Sequence, residues 1–67
     1  MELLVNNKLE QLPASDKLYQ LLLQLGIADK RGIAVAVNNA VIARAEWDNY
    51  KLNDKDKITI IRPTQGG

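Results

Sequence analysis

The 67-residue sequence predicts an α+β domain in which a mixed five-stranded sheet packs on one main helix. Three observations predict it. Two Asn-Asn pairs sit between short β-prone runs, one leucine-rich segment repeats at helical spacing, and a β-branched run lies near the end. A chain this short removes only roughly 60% of its unfolded surface on folding, which leaves room for one core and one domain.

The first two strands are Glu2-Leu3-Leu4-Val5 and Lys8-Leu9-Glu10-Gln11, joined at Asn6-Asn7, a pair that tolerates the positive φ of a two-residue hairpin turn. Pro13 ends the second strand. Ser15 is the expected cap of a helix over about Asp16 to Leu25, with Asp16 in its first turn. Leu18, Leu21, Leu22 and Leu25 fall on one face of it, Lys17, Gln20 and Gln24 point outward, and Tyr19 and Leu23 flank the core. Gly26 supplies the left-handed residue that ends a helix. Ile33–Val37 and Val41–Ala43 repeat the hairpin logic around Asn38-Asn39, a duplication that turn chemistry explains without a function. Arg44 to Tyr50 reads as irregular or one helical turn, anchored by Trp47 and Leu52. After the polar turn Asn53–Asp56, Lys57–Arg62 has the β-branched content of a last strand, closed by Pro63. The order β-β-α-β-β-turn-β is compatible with a β-grasp domain over residues 1–63.

Composition excludes several kinds of function. Hydrophobic residues make up 46% and charged residues 25%, the balance of a folded domain. Nine basic against eight acidic residues give a net charge of +1, with only Lys30-Arg31 adjacent in the middle of the chain, so no nucleic-acid surface is expected. There is no cysteine and no histidine. That removes thiolate chemistry, the commonest general base and the commonest soft metal ligands, and a side-chain enzyme is not expected. Asp54 and Asp56 resemble the start of a calcium loop but lack its glycine and later ligands, so no metal and no bound cofactor is expected. The apolar stretch Leu18 to Leu25 is interrupted by Gln20 and Gln24 and is too short for a membrane span. The sequence opens on a strand-like run without a secretory signal, and a cytoplasmic location is the expectation.

Beyond Pro63 lie Thr64, Gln65, Gly66 and Gly67, which include two of the four glycines and no apolar anchor. Residues 64–67 are therefore expected to form a flexible tail. From Ile61 an extended arm would reach about 20 Å, enough to enter another protein's active site. Glycine suits a narrow channel because it carries no side chain. The reacting group at its end is then the Gly67 carboxylate. A free carboxylate is a poor electrophile and needs activation by ATP to an acyl-adenylate. Attack by sulfur on that adenylate leaves a thiocarboxylate.

The sequence resembles the ubiquitin-like sulfur carriers, and among them most closely the ThiS-like carriers of thiamine biosynthesis. The resemblance covers the whole chain and rests on the N-terminal hairpin, Leu18–Leu22, Val35–Asn39 with Val41 and Ile42, Arg44 with Trp47, Asp56 before Ile58, and Gly66-Gly67. It implies that an E1-like adenylyltransferase, using its own ATP, activates Gly67. A persulfide donor such as a cysteine desulfurase would supply the sulfur, and a thiazole synthase would accept it. Gly66 and the arm before it would thread into these partners. Lys55 stands where many relatives carry glycine. The molybdopterin-synthase small subunit shares fold and tail and ranks second; protein-conjugating modifiers come third, and a passive β-grasp interaction module is the rival of another class.

Strand alternation adds a surface. If Ile58 and Ile60 face the helix, Thr59 and Ile61 face the other side, near Leu4 and Ala36. The partner-docking expectation therefore comprises Leu4, Ile61, Thr64, Gln65 and Gly66.

Overall fold

The computed structural model describes residues 1–13 and 15–62, and Pro63 and the tail lie outside them. Along the chain come β1 (Glu2–Val5), β2 (Lys8–Gln11), α1 (Leu18–Gln24), β3 (Ala34–Val37), β4 (Ala40–Ile42), a 3-10 turn (Arg44–Glu46) and β5 (Lys57–Ile61). The sheet order is β2-β1-β5-β3-β4. The last strand thus enters the centre, parallel to β1 and antiparallel to β3.

Both Asn-Asn pairs make the expected turns. Asn6 and Asn7 have φ of 48° and 69°, and Asn38 and Asn39 have 51° and 74°, so each pair holds the left-handed conformation twice in succession. Pairing begins at once on either side, at Val5–Lys8 and Val37–Ala40. That register places β4 at Ala40–Ile42, one residue earlier than the sequence suggests. Ile33 is buried ahead of β3, and β5 stops at Ile61 because Ala34–Ile61 is its last pair. Lys55 also has a positive φ, 70°. Where glycine fits freely, lysine costs about 1 kcal/mol.

The helix starts later than its local signals suggest. Ser15 Oγ accepts from the Lys17 N–H at 3.1 Å, but Lys17 is the capping residue and makes no side-chain cap. The first helical N–H groups are met from elsewhere in the fold. Leu18 donates to the Tyr50 carbonyl at 2.9 Å and Tyr19 to that of Trp47 at 3.2 Å. Lys17 and Lys51 form an isolated bridge, and an exposed Lys51–Asp16 pair at 3.7 Å adds little. Asp16 consequently lies outside the helix. At the other end Gly26 (φ 77°) donates to Leu23 at 3.0 Å and Ile27 to Leu22 at 3.0 Å, the paired bonds of a Schellman stop.

Leu18, Leu21 and Leu22 are fully buried, each contributing about 2 kcal/mol, with Leu3, Val35, Val37, Ile58, Ile60, Trp47 and Leu52 around them. Leu25 and Tyr19 are half-buried against this core, whereas Leu23 is 47% exposed. Trp47 Nε1 donates to the Ile42 carbonyl at 3.1 Å. The Arg44 guanidinium lies 4.4 Å from the Trp47 ring centre and donates to the carbonyls of Ala28 and Lys30. The irregular 44–52 segment is thereby pinned to both the sheet and the helix-to-β3 connection.

Candidate functional site

Alternation along three central strands sorts the sheet into two faces. Leu3 and Val5, Val35 and Val37, and Ile58 and Ile60 turn toward the helix and are buried. The remaining positions make an open face. Across it Leu9 opposes Leu4, which lies beside Lys57; Thr59 opposes Ala36, which opposes Val41; and Ile61 opposes Ala34. Leu9 is 66% exposed, Val41 71% and Ile61 51%. Solvated β-branched and leucine side chains gathered on one unhelixed face are an apolar surface looking for cover.

The expected exposure of Ile61 is found, and Ala36 shares its face. Leu4 shares it too, half-buried. Leu4, however, pairs with Lys57, about 13 Å along β5 from Ile61, so the two do not form one contact patch. Leu9 and Val41 were not singled out from the sequence. The signal existed: a two-residue turn fixes which residues oppose, and both oppose face positions already identified. Thr64, Gln65, Gly66 and Gly67 lie outside the described residues.

β5 delivers the chain to the tail, and it is gripped at both ends by the first asparagine of each hairpin turn. At the start, Asn38 Oδ1 accepts from the Lys57 N–H at 3.0 Å and Asn38 Nδ2 donates to Asp56 Oδ1 at 2.9 Å. Asp56 is buried at 8% exposure and its Oδ2 accepts from the Asn53 N–H at 2.8 Å. At the far end, Asn6 Oδ1 accepts from the Ile60 N–H at 2.8 Å and Asn6 Nδ2 donates to the Ile60 carbonyl at 3.3 Å. The paired asparagines thus do more than turn the chain.

Among the described residues no buried side-chain polar atom lacks a partner, no group of three or more Asp, Glu, His or Cys is placed to hold a metal, and no helix is long and apolar enough to cross a membrane. The buried carboxylate of Asp56 is consumed by structural bonds. What the described residues offer chemically is a surface and a launching point.

One helix packed on a five-stranded mixed sheet with the last strand inserted at its centre defines the ubiquitin-like β-grasp class. Within that class, a profile of the ThiS family matches residues 1–67. The sulfur carrier protein ThiS of Escherichia coli (strain K12) is 32% identical, with all of both chains covered. The crystal structure of the thiamine biosynthesis protein ThiS from Geobacter metallireducens superposes with a TM-score of 0.81 at 28% identity, again over all of both chains. The chain belongs to the ThiS family of sulfur carriers.

Proposed function

We propose that the chain carries sulfur on the carboxylate of Gly67 and delivers it to thiazole formation in thiamine biosynthesis. The observation that carries this reading is a family match running through Gly66-Gly67, in relatives named for sulfur carriage and thiamine biosynthesis. The central position of β5 supports it, since the strand leading to that end is paired on both edges.

An E1-like adenylyltransferase transfers AMP to the Gly67 carboxylate and releases pyrophosphate. A persulfide then attacks the acyl carbon, the bond to AMP breaks, and a thiol takes the outer sulfur's former partner as a disulfide, leaving a thiocarboxylate. ATP belongs to the partner enzyme, and the carrier supplies no catalytic side chain. The thiocarboxylate is ionised near neutral pH and passes its sulfur to a thiazole synthase. Gly66 leaves room for the enzyme's groups at the backbone, and Thr64 and Gln65 span the distance to the docked domain. Leu4 with Leu9, and Ile61 with Val41, are two separate apolar areas of the open face at which partners dock. These partners are soluble proteins, in keeping with a cytoplasmic carrier.

Deletion of Gly67 tests this. Pyrophosphate exchange by the cognate adenylyltransferase is expected to disappear while the thermal midpoint stays unchanged, because a glycine has no side chain to bury and chain termini tolerate change. Exchange that survives the deletion rules the reading out.

A further inference from the structure

We infer that Asn6 is a positioning residue for the reacting end of the chain, an inference that rests on the carrier function proposed above. β1 and β5 run parallel, paired at Leu4–Lys57 and Val5–Ile58, and the Asn6 N–H continues the ladder to the Ile58 carbonyl at 2.9 Å. In a parallel ladder the next bond would run from the Ile60 N–H to the backbone carbonyl of residue 6. Asn6 has already turned away, at φ 48°. Its side-chain amide takes over, accepting from the Ile60 N–H at 2.8 Å and donating to the Ile60 carbonyl at 3.3 Å.

One side chain thereby performs two tasks that compete in an ordinary hairpin. The backbone leaves the sheet to make β2, and the ladder to β5 extends one more repeat toward Gly67. On its other side β5 is held to Ala34. With Asn6 in place the end of β5 is held on both edges, at Ile60 by Asn6 and at Ile61 by Ala34, and the direction in which Ile61 leaves the sheet is set with it. Glycine would satisfy the turn equally well and offers no amide. Asn7, whose φ is 69°, meets the same backbone demand without a bond to β5 among the described residues.

The consequence concerns the rate of activation more than docking. An arm whose base is loose explores more directions, so a smaller fraction of docked carriers present Gly67 to ATP. The comparison is between wild type, Asn6→Gly and Asn7→Gly, each read by hydrogen exchange at the Ile60 amide and by steady-state adenylation with the cognate enzyme. In Asn6→Gly, exchange at Ile60 is expected to quicken about tenfold, the loss of one net hydrogen bond in a locally opening segment. The kcat for adenylation falls about fivefold with KM within about twofold, the pattern of lost alignment. Asn7→Gly leaves both readouts at the wild-type level. Should Asn6→Gly fail to fold, Asn6→Asp serves, since it keeps the acceptor for the Ile60 N–H and loses the donor, with a smaller change in the same direction. Unchanged exchange at Ile60, or unchanged kcat with quickened exchange, overturns the inference while wild-type adenylation upholds the carrier. A wild-type chain that the enzyme does not adenylate overturns both.

Discussion

At the scale of single residues, three polar side chains, Asn6, Asn38 and Asp56, hold the two ends of β5. Asp56 is the deepest of them. Its two oxygens accept from Asn38 Nδ2 and from the Asn53 N–H, and its own N–H donates to the Asn53 carbonyl at 3.1 Å, which closes the turn ahead of β5. Removing the carboxylate leaves both donors without their partner at a part-buried site. Asp56→Ala is expected to destabilise the fold by about 2 kcal/mol, read as a lower urea midpoint at unchanged slope. A midpoint equal to wild type would mean that water replaces the carboxylate without loss. From the sequence, Asp56 shows as part of a polar turn, of a failed calcium pattern and of the family resemblance, none of which gives it a partner. Its role depends on Asn38, eighteen residues away, and turn chemistry by itself gives no sign of such a pairing.

At the scale of elements, periodicity announces each strand and the helix, and packing moves their ends. Leu18, Leu21 and Leu22 identify the helix from spacing alone. Its start does not follow from Ser15 and Asp16, because the 44–50 segment folds back and offers the carbonyls of Trp47 and Tyr50 to the first turn. A tertiary cap of that kind has no local signature. Alternation likewise gives Ile61 its exposed side, while the neighbour of Leu4 depends on strand order, which was not read from the sequence. The open face that results leads to a prediction about the sheet. Ile61→Asp is expected to leave stability within about 0.5 kcal/mol, as for most exposed substitutions. It should raise KM for adenylation about tenfold by placing a charge in an apolar contact. A KM that does not move removes Ile61 from the docking surface.

At the scale of the whole molecule, the two hairpins lie on either side of a strand that belongs to neither. That arrangement gives β5 partners on both edges and brings the chain out of the sheet at its middle. The absence of histidine and cysteine leads to the expectation of a domain without catalytic side chains, and the Gly66-Gly67 ending to the proposal that the chemistry takes place at the terminal carboxylate. The proposed carrier chemistry comes down to one atom at the end of the chain. It is tested by the intact mass of the protein after incubation with its adenylyltransferase, ATP and a persulfide donor, followed by fragmentation of the C-terminal peptide. One oxygen is expected to be exchanged for one sulfur, with the exchange mapping to Gly67. A mass unchanged in the presence of an enzyme active on another carrier, or sulfur placed elsewhere in the chain, would contradict it.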